Sequence, residues 1–477
     1  MRIVFFLLIF FLLIFIPALG LAEELYVTPT GAGSEDGSSW SNAFAGFSDI
    51  TWGSGSGNLG AGDTLYVSGG ASGLTYTEEL TIGANGSDGS LIYIKTGALS
   101  PSPSGHDGLV TITSSGAGIK IGSYDYIVID GDDGAGNRNF KMLNNTNPGV
   151  HINGGTDNLI RYVEATGNED GIKIEGIDNA CHSRGDPYST NIFEHCYVYD
   201  NDSDGIVAPK CVTGRYSIIQ STHASHKDGW EAYGGSGHGH IMVFGNDFVG
   251  SGANYQFFGR PLDAMGPDYF INNIFRCDTD TAACTLERGI GVLPDKGDGF
   301  EVYVWNNTFA YILYRPPIRF IGPGEFDVID IRNNIVYDSC ASGGGQAILI
   351  GSDVGNPTIT IDYNIIYAPE YGCTSISVKG TSYPCSKGSY STYNKNGNCN
   401  AVSLVNPVYG QAGDLHLSSS DTNARDGGVD LSAYFTTDKD GNSRGQGSAW
   451  DIGAYEYHED GEDAQAPAPP KNIKILE

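Results

Sequence analysis

Helical periodicity is missing from this chain, and positive charge is scarce. No segment of the 477 residues keeps the long apolar period of an amphipathic helix, which argues against a helical fold. Only 26 Lys and Arg stand against 56 Asp and Glu, and the net charge is −30. A chain this acidic repels phosphate-rich surfaces, so we expect neither nucleic acids nor anionic membranes as partners.

Long hydrophobic runs are confined to the first residues. Residues 3–16 are apolar and uncharged, and the small residues Gly20 and Ala22 follow them. This pattern is typical of a secretory signal peptide, so we expect cleavage after Ala22 and a secreted or cell-surface protein. The run is too short to cross a bilayer comfortably, and no later segment approaches it, so we expect no membrane span in the mature chain.

The nine cysteines do not have the spacing of a zinc site, because no pair forms CxxC. Export makes disulfides possible. Cys277 and Cys284 bracket one polar segment, and Cys373, Cys385 and Cys399 cluster in another, so we expect disulfides that staple loops. The odd count leaves at least one thiol free or intermolecular.

One motif recurs along the chain: an apolar residue, two spacers, an asparagine, one spacer and a second apolar residue. Its copies centre on Asn246, Asn273, Asn307, Asn334 and Asn364, and a sixth copy carries Cys196 instead. Repeats of this kind, each holding a few short strands, are typical of a solenoid. We expect the asparagines to stack at one inner turn and exchange amide hydrogen bonds between coils, which is a structural role.

A second set of strands alternates with the first. Short apolar alternations begin at Gly149, Gly171, Gly205, Gly229, Gly289 and Ala347. Each coil then holds two or three strands, with alternate apolar residues filling the interior. The sequence therefore predicts an all-β fold, a single-stranded right-handed parallel β-helix with an N-terminal cap.

Both ends of the chain resemble known capping motifs. Residues 25–44, LYVTPTGAGSEDGSSWSNAF, resemble the start of bacterial exported β-helix proteins of the pectate-lyase-like superfamily. In those proteins a first strand and a short helix cap the solenoid. Arg444 and residues 450–457, WDIGAYEY, resemble the closing motif of the same proteins, the choice-of-anchor Q type. The resemblance implies the fold and no particular reaction.

These motifs divide the chain into five predicted segments. A solenoid core grows along one axis, so length alone does not predict several globular domains. We expect a signal peptide at 1–22, a cap and first coils at 23–117, a central β-helix at 118–400, C-terminal coils with the closing motif at 401–457, and a disordered tail at 458–477. The tail is acidic and then proline-rich, which is typical of a linker.

Three Asp-Gly steps precede strands, at Asp170, Asp204 and Asp228. Equivalent positions on neighbouring coils lie ~5 Å apart, so these carboxylates would repel each other unless a cation lay between them. Calcium binds several oxygen ligands, and we expect a Ca²⁺ site formed by the three aspartates and Glu231. The alternative is that each aspartate only forms its own turn.

Four histidines fall close together, at His223, His226, His238 and His240. Such crowding suits a metal site or a general acid and base. The Gly-His-Gly segment around His238 resembles that of polygalacturonases, which pair two aspartates around the glycosidic bond. Their adjacent aspartate pair is absent here, because Lys227 precedes Asp228.

Residues 226–233, HKDGWEAY, resemble the calcium-binding segment of family 9 pectate lyases. The resemblance implies a lysine base one coil later, but Gln256 stands at that position and cannot accept a proton. A base would have to come from Arg260, Lys227 or Lys210. The further predicted site residues are His226 as a catalytic group and Tyr233, Tyr255, His238 and Lys173 as substrate contacts.

Three functions remain open. We predict first an exported monomeric lyase that cuts an anionic, uronate-containing polysaccharide by β-elimination, with Ca²⁺ neutralising the substrate carboxylate. The second reading is a noncatalytic glycan-binding protein, which the glutamine at position 256 favours. The third is a glycoside hydrolase that uses Asp204 and Asp228 as paired carboxylates.

Overall fold

The structure is a computed structural model. It describes residues 22–177, 191–220, 228–233, 239–250, 255–260, 266–277, 288–294, 299–339, 345–368, 370, 375–386, 388–409 and 413–459. The predicted signal peptide, apart from its last residue, and all but the first two residues of the predicted tail lie outside this part of the chain.

Three long sheets run along the molecule, and each coil adds a strand to them. The first sheet contains, in spatial order, Phe44–Ala45, Glu24–Thr28, Thr64–Val67, Ile92–Thr96, Ile127–Asp130, Asn158–Arg161, Asn191–Glu194, Lys210–Arg215, Gly239–Phe244, Asp268–Ile271, Phe300–Trp305, Phe326–Arg332 and Thr358–Asp362. The second sheet contains Leu74–Tyr76, Val110–Ile112, Phe140–Leu143, Val163–Thr166, Tyr197–Tyr199, Ile218–Gln220, Asp247–Gly250, Ile274–Cys277, Thr308–Ala310, Ile335–Tyr337 and Ile365–Tyr367.

The third sheet carries the surface discussed below. It contains Leu80–Thr81, Ile119–Gly122, Val150–Asn153, Ile172–Glu175, Ile206–Val207, Trp230–Tyr233, Tyr255–Arg260, Arg288–Val292, Ile318–Phe320, Gln346–Ile350, Ser375–Val378 and Thr381–Pro384. A separate hairpin pairs Leu404–Asn406 with Asp414–Leu417. The helical elements of the described chain are three 3-10 turns, Trp40–Asn42, Phe47–Asp49 and Gly97–Leu99.

Pairing between coils is parallel in all three sheets. Ile172 lies opposite Ile206, and Ile206 lies opposite Trp230, so each strand sits directly on its counterpart in the next coil. The antiparallel exceptions among the described strands are the last pair of the third sheet and the small hairpin. The chain therefore folds as an all-β parallel β-helix, as predicted.

Stacked identical side chains fill the interior. Phe248, Phe275 and Phe309 form a column at the same position of successive coils, with ring centres 4.7 Å apart at each step. All three rings are fully buried. Burying a phenylalanine contributes about 2 kcal/mol, and alternate apolar residues repeat this burial in every coil.

The predicted asparagine ladder is present. The backbone N–H and side-chain Nδ2 of Asn273 both donate to Oδ1 of Asn307, each over 2.9 Å. The same pattern continues downstream from Asn307 through Asn334 and Asn364 to Asn394. Because these amides are buried, each coil satisfies the polar groups of its neighbour.

Upstream, the ladder changes residue type without ending. The N–H of Cys196 donates to Oγ of Ser217 over 3.0 Å, and the N–H of Ser217 donates to Oδ1 of Asn246 over 2.9 Å. Asn145, Asn168 and Asn201 form another ladder at a different turn, linked by the same bonds. This second column was not predicted from the sequence. Asparagine stacking therefore also supports the coils of the predicted site.

The C-terminal segment covers part of the first sheet. Phe244 and Trp305 point outward from that sheet, and Leu431, Phe435 and Trp450 pack with them in one buried cluster. Arg444 is buried beneath this segment, where Nη2 donates to Oδ1 of Asn272 over 2.6 Å and Nη1 lies 3.4 Å from Oε2 of Glu456. The closing motif thus fastens the chain end to the side of the solenoid.

The cysteines agree with loop stapling in one case. Cys385 and Cys399 form a disulfide across 14 residues. Cys211 and Cys277 each take part in a disulfide as well, whereas Cys196 is a free, buried thiol. In the described part of the chain, no helix is long and apolar enough to cross a membrane.

Replacing Asn307 by alanine tests the ladder. The variant loses the acceptor for Asn273 and the donor to the carbonyl of Phe270, which leaves buried polar groups unsatisfied. We expect the free energy of unfolding to fall by about 3 kcal/mol, measured by denaturant titration. Asn147→Ala, at an exposed asparagine, is the control. Equal stability of the two variants would contradict the structural role of the ladder.

Candidate functional site

The outer face of the third sheet carries several of the predicted site residues, namely Lys173, Glu231, Tyr233 and Arg260. In the strand Trp230–Tyr233, Trp230 and Ala232 are buried, whereas Glu231 is partly exposed and Tyr233 is 44% exposed. On the next strand Phe258 lies opposite Glu231, and Arg260 lies opposite Tyr233. We call this surface, from Ile172–Glu175 to Ile318–Phe320, the third-sheet face.

The three aspartates of the Asp-Gly steps form one column. The N–H of Asp204 donates to Oδ1 of Asp170 over 3.2 Å, and the N–H of Asp228 donates to Oδ1 of Asp204 over 2.7 Å. The N–H of Tyr255 then donates to Oδ1 of Asp228 over 2.8 Å. Each aspartate therefore accepts a hydrogen bond from the backbone of a neighbouring coil. It links two coils, whereas the sequence-based alternative was that it only forms its own turn.

Crowding disturbs the ionisation of these carboxyls. Burial and the nearby charge of Asp204 raise the pKa of Asp228 to about 8. Burial and the charge of Glu231 raise the pKa of Asp204, and the hydrogen bond between these two side chains favours the proton on Asp204. Burial likewise raises the pKa of Glu231. At neutral pH Asp204 and Asp228 thus keep protons that ordinary aspartates release.

Lys173 is the cation at the upstream end of the column. Its Nζ lies 3.4 Å from Oδ2 of Asp170. Burial lowers the pKa of this lysine, but the charges of Asp170, Glu175 and Glu169 and the hydrogen bond to Asp170 together outweigh burial, and the net shift of the pKa is upward. Lys173 is therefore a charged residue of the third-sheet face, where it was predicted to contact substrate.

The predicted calcium ligands Asp170, Asp204 and Asp228 lie in one column, with Glu231 hydrogen-bonded to Asp204. Among the described residues, no group of three His, Cys, Asp or Glu side chains could hold a metal ion. One oxygen of each aspartate in the column already accepts a backbone N–H. The other oxygen of each carboxylate is not engaged by these bonds, so a calcium site at Asp170, Asp204, Asp228 and Glu231 stays a prediction.

The candidate bases are placed differently from one another. Lys210 is buried at the start of a strand of the first sheet, away from the third-sheet face. Arg260 ends the strand Tyr255–Arg260, is exposed, and lies with its guanidinium carbon 5.5 Å from the ring centre of Tyr233. Lys227, His226, His238 and His223 lie outside the described residues, and His240 is buried in the first sheet.

Gln256 is an interior residue. It is 1% exposed, and its Nε2 donates to the carbonyl oxygen of Arg276 over 2.6 Å. Placing it where a catalytic lysine would contact the substrate was therefore wrong, because its side chain bridges two sheets inside the coil. The glutamine no longer favours a binding protein over an enzyme.

Two arginines of this face were not predicted from the sequence. Arg288 lies opposite Tyr255 on the neighbouring strand. Arg319 occupies the position equivalent to Phe258, two coils downstream. The strand pattern could have predicted the position of Arg319, because this residue alternates with the buried Ile318 and Phe320 and so points outward. Tyr255 itself is largely buried, and its ring stacks on Phe258 at 5.1 Å.

Comparison with known proteins finds similar architectures at low identity. Pectate lyase Pel9A is 14% identical, with 92% of this chain and 98% of that chain covered and a TM-score of 0.42. XylC, solved with xylose, is 11% identical, with 75% and 86% covered and a TM-score of 0.39. The GH136 lacto-N-biosidase of Eubacterium ramulus is 10% identical, with 75% and 65% covered and a TM-score of 0.33. No family model and no curated protein matches the chain.

These similarities are too distant to carry an argument about activity. The parallel β-helix is established by the strand order and register of this chain itself. Activity depends on the side chains of a site and not on the fold, and in this chain the candidate site is the third-sheet face.

The aspartate column makes stability depend on pH in an unusual direction. Asp228 has a pKa of about 8 in the folded protein against 3.8 ordinarily, so folding binds a proton between those values. The stabilisation is complete below about pH 4 and is lost as the pH rises through about 8. Denaturant titration in the presence of a chelator should show stability decreasing across this range.

Asp228→Asn should flatten that decrease. The amide copies the neutral carboxyl, and its oxygen can still accept the N–H of Tyr255. Asp202→Asn, at an exposed aspartate of a neighbouring coil, is the matched control and should keep the wild-type slope. If the Asp228 and Asp202 variants had the same slope, the raised pKa would be refuted.

Proposed function

We propose that the protein is a secreted polysaccharide lyase that binds a uronate-containing chain along the third-sheet face and cleaves it by β-elimination. The observation that carries this proposal is the placement of Arg260 and Tyr233 beside Glu231 on adjacent strands of one exposed surface. A cation and an aromatic ring next to acidic groups suit an acidic sugar, because the cation pairs with its carboxylate.

The chemistry requires three contributions. A base removes the proton from the carbon beside the uronate carboxylate, the bond to the leaving oxygen breaks as the double bond forms, and that oxygen gains a proton. Negative charge develops on the carboxylate during this step and must be stabilised. The residues of the face can be assigned to these roles by their charge.

Arg260 fits the stabilising role better than that of the base. A guanidinium keeps its proton at any physiological pH, so it can neutralise the substrate carboxylate but is a poor proton acceptor. Lys227 and His226, which directly precede Asp228 in the sequence, stay the predicted bases. The hydrogen-bonded pair of Asp204 and Glu231 is the proposed source of the proton for the leaving oxygen: the buried Asp204 holds the proton, and the partly exposed Glu231 passes it to the substrate.

A glycoside hydrolase is the second candidate, and one observation favours it. The hydrogen-bonded carboxyls of Asp204 and Glu231 share a proton, and glycosidases need one carboxyl kept protonated at neutral pH. The hydrolase predicted from the sequence used Asp228 as the partner of Asp204. Asp228 is almost entirely buried, so Glu231 is the more accessible partner.

One assay separates these functions. The purified secreted protein is incubated with pectate, alginate or chondroitin, with calcium or with a chelator, and unsaturated product is followed by ultraviolet absorbance. Unsaturated product supports the lyase, and new reducing ends without unsaturation support the hydrolase. Binding without any product would refute both and leave a glycan-binding protein. No step above passes through calcium, so the chelator arm tests the sequence-based calcium prediction separately.

Arg260→Ala tests the assigned role. Loss of the charge that stabilises the developing carboxylate should lower turnover by about a hundredfold, and Arg260→Lys should recover part of it. Arg425→Ala is the matched control, because Arg425 also lies over a tyrosine ring, that of Tyr457, but on the C-terminal segment. Unchanged turnover in Arg260→Ala would remove this arginine from the mechanism.

A further inference from the structure

Downstream of the carboxylates, the third-sheet face carries a compact group of arginines and tyrosines. The guanidinium carbon of Arg288 lies 5.1 Å from the ring centre of Tyr255 and 5.0 Å from that of Tyr314. Arg315 lies 4.9 Å over the same ring of Tyr314. Nη1 of Arg319 donates to the hydroxyl of Tyr255. We call these five residues the arginine–tyrosine cluster.

The cluster is built into the coil register. Glu231, Phe258, Gly291 and Arg319 occupy one outward column on four successive strands. Gly291 leaves room for the ring of Tyr255, since a Cβ there would lie 2.2 Å from Cε1 of that ring. Arg319 can therefore reach back across Gly291 to the tyrosine hydroxyl. Three strand spacings separate Glu231 from Arg319, or ~14 Å along the solenoid axis.

The charge of the cluster is unusual for this protein. The chain as a whole has 26 Lys and Arg for 56 Asp and Glu. Even so, within the described residues neither Arg315 nor Arg319 forms an ion pair with a carboxylate. Arg315 is exposed and Arg319 is partly exposed, so both positive charges are open to a ligand.

The tyrosines hold the arginines in place without neutralising them. An aromatic ring attracts a guanidinium through its face and fixes its orientation, but it leaves the planar N–H fork available. Such a fork binds carboxylate and sulfate groups through two parallel hydrogen bonds. Arg315 and Arg319, preorganised and without a carboxylate partner among the described residues, thus have the chemistry of an anion-binding subsite on the same face as the proposed cleavage site.

We infer that the arginine–tyrosine cluster binds an acidic group, carboxylate or sulfate, on a sugar of the glycan that lies along the third-sheet face. This inference rests on the proposed function and deepens it. It requires that the glycan carry acidic groups on more than one unit, because the cluster lies three strands from Glu231. Neutral glycans would gain nothing from these arginines.

Equilibrium binding to the secreted protein tests the inference independently of cleavage. Polygalacturonate, chondroitin sulfate and neutral galactan are titrated against the wild type and the Arg315→Ala/Arg319→Ala double variant. We expect the Kd of the double variant for an acidic glycan to rise about tenfold or more, with a weaker dependence on salt. A loss confined to chondroitin sulfate identifies sulfate as the bound group, and a loss with polygalacturonate identifies carboxylate.

Two further variants keep the test decisive. Arg315→Ala removes an exposed side chain whose described contact is the ring of Tyr314, so it should fold normally even if the double variant does not. Its Kd for the acidic glycan should rise by a smaller factor, and Arg425→Ala should leave the Kd unchanged.

Several results would overturn the subsite. These are an unchanged Kd in the Arg315 and Arg319 variants, equal effects on galactan, or no binding of any acidic glycan by the wild type. Cleavage with unaltered binding in the variants would reject the subsite and keep the lyase. Arginine-dependent binding without any cleavage would reject the lyase and keep the subsite.

Discussion

Parallel stacking of coils is the constraint on which the whole molecule depends. Each strand hydrogen-bonds to its counterpart one coil away, so a side chain at a given position meets the same position of its neighbours at a spacing of ~5 Å. Apolar side chains and asparagines satisfy one another in such columns, as at Phe275 and Asn307. Carboxyls do not, and burial together with their mutual repulsion keeps protons on Asp204 and Asp228.

The same constraint explains what the sequence could predict. The fold follows from repeated patterns, because the ladder at Asn273 and its neighbours and the alternating strands both require stacked coils. The column from Asn246 to Asn364 was predicted correctly, because its asparagines share one flanking apolar pattern. The change to Ser217 was missed because the residue type differs, and the second column at Asn168 was missed because no apolar residue follows two positions after its asparagines.

The site was harder to predict, because it depends on which way each side chain points. Gln256 was placed on the surface although it lies inside, and Lys210 belongs to another sheet. Both errors come from counting along irregular loops, where one residue of shift reverses the direction of a side chain. Arg319 and Arg288 come from different coils, and only the register between strands shows that they belong to one surface.

The third-sheet face thus joins two unlike regions of an acidic protein: Glu231, beside the buried and proton-holding Asp204, and the arginine–tyrosine cluster, whose Arg315 and Arg319 have no carboxylate partner among the described residues. A crystal structure of the protein with an acidic oligosaccharide tests this account most directly. It predicts the sugar chain along the third-sheet face, with acidic groups on Arg260 and on the arginine–tyrosine cluster and a glycosidic bond beside Glu231. A sugar chain bound on the first or second sheet, or away from these arginines, would contradict it.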